Sequence, residues 1–328
     1  MGISNLDILH ANQVIGSGAG IPGTAGKVIF CDYGSGSDGN NGLVPEEAVK
    51  TVAQAYSLAT TNKFDVVALI GNSTHVLTSM LTVAKNRVTF IGVDASYGRL
   101  TAQSAKIELG VTTDTDDIAT VLITGTRNAF YNIKFINGNS LDECLSVVID
   151  NGEGSVIEGC SMVKIAGLDD ADWCSFWMAG DSLTMRNCVL GQSNLPSAVA
   201  HFAIKIDAKT GGGSGAVKEN FLENIYANMS VGTAAAATAC FIKVVDGAAM
   251  NFNNVIKDFN GINFVQASTG TIMTDAVLGA ATTGGYLSLI RPTFMGCTGV
   301  GSATGQGIYI SQSTAPDANG GLGTELTD

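Results

Sequence analysis

Phe130-Tyr131-Asn132-Ile133-Lys134-Phe135-Ile136-Asn137-Gly138 carries a core of the form apolar-x-Asn-apolar-x-apolar, and that core returns several times downstream. It recurs as Ile157-Glu158-Gly159-Cys160-Ser161-Met162, Met185-Arg186-Asn187-Cys188-Val189-Leu190, Leu222-Glu223-Asn224-Ile225-Tyr226-Ala227 and Phe252-Asn253-Asn254-Val255-Ile256-Lys257. The pivots Asn132, Gly159, Asn187, Asn224 and Asn254 stand 27, 28, 37 and 30 residues apart, a period at which repeats read as the rungs of a solenoid.

A second ladder runs beside the first: Val121 to Gly125, Val147 to Asp150, Phe176 to Gly180, Ala203 to Asp207 and Phe241 to Asp246. Every rung thus offers one short β-rich run ending in Asp or Gly, a turn-prone interval, and a second β-rich run bent at Asn or Gly. None of these runs is long enough for a helix. Stacked in parallel, like side chains lie over like and bury one column that no single rung can close. The bend residues have a local reason, because Asn and Gly tolerate the left-handed backbone region and an Asn side chain bonds nearby backbone. An antiparallel sandwich with scattered Asn turns is the alternative, disfavoured because the paired runs keep one order. At the first pivot the reading places Tyr131, Ile133 and Phe135 inside.

The fold class expected is therefore all-β, a single-stranded parallel β-helix over residues 27–312. An arm or linker over 1–26 precedes it and a polar tail over 313–328 follows. Length does not require several domains, since a solenoid grows in one dimension. Glycine is abundant at 41 residues and proline scarce at 5. Unequal rungs predict corner loops at 168–173, 209–215 and 233–239, and a long small-residue insertion at 267–285. Gly307 to Ser311 reads as the last strand.

The formal net charge is −12, with 17 Lys plus Arg against 29 Asp plus Glu and no basic run, so direct nucleic-acid binding is not expected. No apolar run reaches transmembrane length, so no membrane partner is expected. The seven cysteines include no CxxC pair. Cys160 and Cys188 follow successive pivots and read as stacked, buried thiols rather than a metal site or disulfide framework.

Ahead of the rungs, the strand Val28 to Asp32 leads into Gly34-Ser35-Gly36-Ser37-Asp38-Gly39-Asn40-Asn41-Gly42. Its oxygens lack the EF-hand spacing and terminal Glu, which favours a folded turn over a calcium loop. Pro45, two acids in a first turn and apolar residues at Val49, Val52, Ala53, Tyr56 and Ala59 predict an amphipathic helix over about 45–60, laid across the open end of the first coil. This order of strand, Asp32-to-Gly42 loop, Pro45, capping helix, Val-rich strand Asp65 to Gly71 and rungs resembles the start of the pectate-lyase-like right-handed parallel β-helix proteins. The likeness is greatest to those of phage tailspikes and related virion proteins. The resemblance implies a right-handed helix and a homotrimer. It leaves activity open, since members include polysaccharide lyases and hydrolases, receptor-binding spikes and capsid-stabilising proteins without enzymatic work.

Each of these activities needs its own set of residues. A glycosidase needs two facing carboxylates. The best acidic group is Asp169, Asp170 and Asp172, beside Trp173 and Trp177 as platforms for a sugar, with Asp150 and Asp207 on flanking rungs. No partner acid is identified. A lyase needs a basic residue beside a calcium-binding acid group. Arg127, Lys134, Arg186, Lys205 and Lys243 each stand alone. His10, His75 and His201 are too scattered for a zinc set, so neither a metal nor a cofactor is expected.

The preferred reading is a rigid acidic body with an N-terminal arm, a structural virion protein that stabilises or decorates a capsid and touches the major capsid protein or other virion proteins. The alternative is a tailspike-like protein binding or cleaving a host surface glycan through Asp169, Asp172, Trp173 and Trp177. The N-terminus has no basic-then-apolar leader, so the chain is expected to fold in the host cytoplasm and to reside in the virion.

Overall fold

The computed structural model describes residues 26–71, 73–93, 103, 105–110, 118–139, 145–166, 172–191, 197, 199–207, 217–245, 250–264, 271–279, 285–301, 307–311, 314–316 and 322–325. Its strands wind into a stack of coils with three parallel faces. The first sheet runs through Val28–Cys31, Val66–Ile70, Thr89–Val93, Ala129–Tyr131 and Val156–Glu158. It continues through the leading halves of Thr184–Gly191, Phe221–Met229 and Phe252–Asn263, then Gly285–Ile290 and Ile308–Ser311. The second sheet takes Thr74–Leu77, Lys106–Leu109, Lys134–Asn137 and Ser161–Lys164, the trailing halves of the three long strands, and Thr293–Met295. The third sheet stacks Leu81–Val83, Ala119–Ile123, Ser146–Asp150, Trp173–Met178, His201–Ile206, Cys240–Val244, Met273–Gly279 and Cys297–Gly301.

Register makes the stacking literal: Val121, Val148, Phe176, Ile204, Ile242 and Val277 lie level in consecutive coils and point into one apolar column. Phe90 and Phe130 stack at 5.0 Å near one end, and Phe241 and Phe294 at 5.8 Å near the other. Offset aromatic pairs add stability beyond their buried area. Cys160 and Cys188 lie one above the other, fully buried, and each thiol donates to the carbonyl two residues before it, Glu158 at 3.4 Å and Arg186 at 3.1 Å. Burial pushes Cys160 up to about 12 and Cys188 well above its ordinary value, so both remain neutral. Cys144 lies outside the described residues.

The helix α1 (Val52–Leu58) covers the first coil, as expected, but begins later than Pro45. Pro45–Glu47 forms a separate 3₁₀ turn, Val49 is bridged to Cys31, and Thr51 caps α1 by accepting from the Gln54 amide at 3.1 Å. The chain is thus still pairing with the strand when the periodicity already reads as helical. Val52, Ala55 and Ala59 are buried, while Ala53 faces solvent. Tyr56 extends the Phe90–Phe130 column at 5.8 Å. Lys85 closes the helix by donating from Nζ to the carbonyls of Tyr56, Ser57 and Ala59 at 2.7–2.9 Å. The loop before α1 is a turn network: Asp32 accepts from Gly34 and Ser35, and Asp38 from Lys50 and Thr51.

Two of the three corners of each coil turn through a left-handed residue. Between the first and second sheets, Asn132, Gly159, Asn187, Asn224, Asp258 and Arg291 occupy the left-handed region, with φ of 51–65°. Asn254 does not belong to this corner. It lies four residues early because Asp258, which tolerates the same backbone, replaces the expected Asn, and Asn254 falls in the other corner. There, between the third and first sheets, Arg87, Arg127, Gly154, Ser182 and Glu219 take φ of 56–69°. The residues that follow them, Val88, Asn128, Ser155, Leu183 and Asn220, stand in one row with Asn254, which comes two residues after the left-handed Phe252.

The left-handed residue also resets the alternation of sides. Phe130, Ile133 and Phe135 face the core, whereas Tyr131, expected inside, packs outside the first sheet with Val66, Ala68 and Ile91. Met273–Gly279 lies where an insertion was expected, because Thr274 and Asp275 mask the burial of Met273, Ala276 and Val277. Of the expected tail, Thr314–Pro316 pairs with Thr293 and, antiparallel, with Leu322–Glu325. Most of the expected arm, residues 1–25, and the loops at 168–171 and 209–215 lie outside the described residues.

Candidate functional site

The outer face of the third sheet holds the residues singled out for sugar chemistry. In Trp173–Met178, Phe176 and Met178 turn inward, which sends Trp177 outward, level with Lys205 and Lys243 in the next two coils. The Lys205 ammonium lies 3.9 Å from the centroid of the Trp177 ring and 3.7 Å from Asp207 Oδ2. A desolvated cation on an indole face is worth about 2 kcal/mol, and the Lys205 side chain is only 11% exposed.

Trp173 has a different fate. It is buried at 3% exposure and stacks on His201 at 4.7 Å with 13° between the planes, so its ring offers no free face to a sugar. His201 Nδ1 lies 3.0 Å from the Val199 carbonyl, the geometry of a donated hydrogen bond from a neutral ring. Burial pulls the imidazole down to about 4, outweighing that bond. Nearby, Cys174, Phe202 and Cys240 form a small apolar cluster against which Trp177 packs. Burial pushes Cys174 up to about 11 and Cys240 to about 12. Neither thiol is an activated nucleophile, and the imidazole beside them is held neutral and stacked.

Asp172 is exposed, takes φ +65° and donates its amide to the Ala200 carbonyl at 2.8 Å, as a turn residue does. Asp169 and Asp170 lie outside the described residues. Asp150 is buried at a strand end and accepts from Ser155 Oγ at 2.9 Å. Of the expected set, only Trp177 presents a partly exposed ring on this face.

The chemistry available here is that of binding: a flat apolar ring, two lysines and one carboxylate in a ridge. The level placement of Lys205 and Lys243 with Trp177 is readable in the sequence once Phe176-Trp177-Met178, Ile204-Lys205-Ile206 and Ile242-Lys243-Val244 are aligned. Each is apolar-x-apolar, and the middle residue points out. The stacking of His201 on Trp173 carries no such signal. Of the other isolated histidine and basic residues, His75 is buried 3.5 Å from Cys31, with Nε2 near the Ile70 carbonyl, and Arg127 stands at a corner. Among the described residues no group of three or more His, Cys, Asp or Glu is arranged to hold a metal.

No family model matches the chain, and no curated protein matches it. Solved structures do. The pectin methylesterase of Aspergillus niger in deglycosylated form gives a TM-score of 0.50 at 13% identity, covering 92% of this chain and 91% of its own. Pectate lyase Pel9A gives 0.46 at 13% identity, over 92% and 83%. Pectin methylesterase PemA from Erwinia chrysanthemi gives 0.44 at 11%, over 88% and 93%. Likeness at such identity is a likeness of fold. The chain is an all-β, right-handed parallel β-helix of the pectin-lyase-like kind, closed at its N-terminal end by a short helix.

Proposed function

We propose that the protein is a structural component of a bacteriophage virion, a homotrimer of β-helices that stabilises or decorates the capsid by binding the major capsid protein or other virion proteins. It is assembled in the host cytoplasm and carried in the particle. The observation behind this reading is the fate of Trp173. Among the described residues of the stretch with the best acidic group, Trp173 spends its ring on His201 and Asp172 serves a turn, which favours the outer faces of a rigid body over a cleft. The entry segment from Val28 to Ala59, with its resemblance to virion β-helices, supports the same reading. Many modest contacts repeated by symmetry suit such a body. Cryo-electron microscopy of the native particle tests it: density for the β-helix over the seams of the capsid lattice is expected, and density confined to the tail overturns it.

A second reading has one observation in its favour. Trp177 is partly exposed on the outer face of the third sheet, level with Lys205 and Lys243, and its exposed edge beside these two cations offers a host surface polysaccharide a contact, as in a tailspike. Titration of the protein with that polysaccharide, followed by tryptophan fluorescence, tests this reading. A saturable change that Trp177→Ala abolishes supports it, and no change refutes it.

A further inference from the structure

We propose that the outer face of the first sheet, over the coils from Thr184 to Ser311, is where a second copy of this chain docks. The inference deepens the homotrimer of the reading above by assigning it a surface, but it stands on features of this face.

The sheet's outer side changes character along its length. Toward the N-terminus four of its outward apolar residues are already covered, Val66, Ala68, Ile91 and Tyr131 being at most 6% exposed, and Val93 at a strand end is 41% exposed. Gln103 reaches across this corner, donating to the Gly159 carbonyl at 2.7 Å and accepting from Ser161 Oγ at 3.1 Å. Toward the C-terminus the outward residues are open. Tyr286 is 52% exposed and Tyr309 is 56% exposed. Their rings pack on each other at 5.7 Å, forming a two-ring platform in consecutive coils. Phe221 lies in the same row as Tyr309, under the Arg186 guanidinium at 5.6 Å. Tyrosine and arginine on a flat face are the residue types that anchor protein interfaces.

Charge selects the partner. Beside the aromatic platform runs a ladder of alternating sign. Glu223 pairs with Arg186 at 3.7 Å and with Lys257, and Asp258 pairs with Lys257 at 3.8 Å and with Arg291 at 2.8 Å. Glu158 stands level with Arg186 in the preceding coil, so three anions meet three cations. The whole chain carries −12, and two copies repel one another as bodies. They approach at least cost where local charge cancels, and a ladder of alternating sign offers each charge an opposite in a like ladder. A basic partner would seat better on the acidic remainder of the surface, and an acidic one gains nothing here. The ion pairs are already satisfied within the chain, so covering them strands no lone charge.

Sedimentation velocity of the full chain tests the assignment, comparing the natural protein, the Tyr286→Asp/Tyr309→Asp double variant, and Thr82→Asp on the exposed side of the third sheet as a control. The natural protein and the control are expected to sediment as an assembly. The double variant is expected to be monomeric, its self-association weakened at least about 100-fold, with an unchanged circular dichroism spectrum. A folded double variant that assembles like the natural chain overturns the proposal, as does a natural chain that stays monomeric at about 100 μM. If the aspartates disturb folding, Tyr309→Cys replaces them. Cross-linking by a short bismaleimide is expected to join copies through that thiol, and no joined species overturns the proposal. A capsid that carries the protein while the isolated chain stays monomeric refutes this face and leaves the virion reading standing. Assembly through this face without any capsid binding does the reverse.

Discussion

The corners on either side of the first sheet solve one problem by different means. Both must turn a strand sharply with a residue in the left-handed region, which costs an ordinary side chain about 1–2 kcal/mol. Between the first and second sheets the turning residue is mostly one that tolerates this backbone, and its own side chain helps hold the stack: Asn224 Nδ2 donates to Asn187 Oδ1 at 2.7 Å, and Asn132 Nδ2 to the Gly92 carbonyl at 3.1 Å. Between the third and first sheets the turning residue includes Arg127, Ser182 and Glu219, and the following residue supplies the hydrogen bonds. Asn128 Oδ1 accepts from the Val88 amide, Asn220 Oδ1 from Leu183 and Asn254 Oδ1 from Asn220, at 2.8–3.3 Å, each reaching back to the preceding coil. One corner is defined by conformation, the other by buried hydrogen bonding.

That contrast sets the order of expected effects. Asn220→Leu is the most damaging, because it strands the buried Leu183 amide and removes donors to the Gly180 carbonyl and to Asn254. A loss of about 2–4 kcal/mol is expected, read as a lower urea midpoint at unchanged slope. Asn224→Ala loses one bond in a less buried corner and places alanine at φ +54°. About 1–2 kcal/mol is expected in the same measurement, and a loss as large as that of Asn220→Leu would erase the distinction. Gly159→Asn should be nearly neutral, within about 0.5 kcal/mol, because asparagine tolerates φ +65° better than other side chains but less well than glycine. A Cβ there meets nothing closer than 3.8 Å, and the new amide would stand between Asn132 and Asn187. Ser182→Gly should gain about 0.5 kcal/mol at most, by relieving a strained φ of +57° without touching the row behind it.

The same contrast explains what could be read from the chain. The conformational corner announces itself, since Asn and Gly at 132, 159, 187 and 224 are the residue types the backbone asks for. It becomes unreadable where Asp258 and Arg291 take over, and there Asn254 is mistaken for the pivot. The hydrogen-bonding corner is hidden because Arg and Glu are not turn formers and a lone Ser does not signal a left-handed backbone, although Asn128-Ala129-Phe130, Asn220-Phe221-Leu222 and Asn254-Val255-Ile256 share a frame. The third-sheet runs at 121, 147, 176, 203 and 241 were legible from their apolar alternation. Met273–Gly279 was not, because its outward residues are small or polar. On the candidate site, the outward position of Trp177 follows from alternation, whereas the burial of Trp173 depends on His201 one coil away, a distance in sequence over which pattern carries no information.

Amide hydrogen exchange on Asn220→Ala tests most directly the claim that the two corners are held differently. Protection of the Leu183 amide, bonded to the Asn220 side chain, should fall by at least about tenfold. Protection at Gly159, whose amide donates to the Arg186 carbonyl at 3.1 Å, should stay unchanged apart from the global loss of stability. Equal loss at both amides, or none at Leu183, would contradict it.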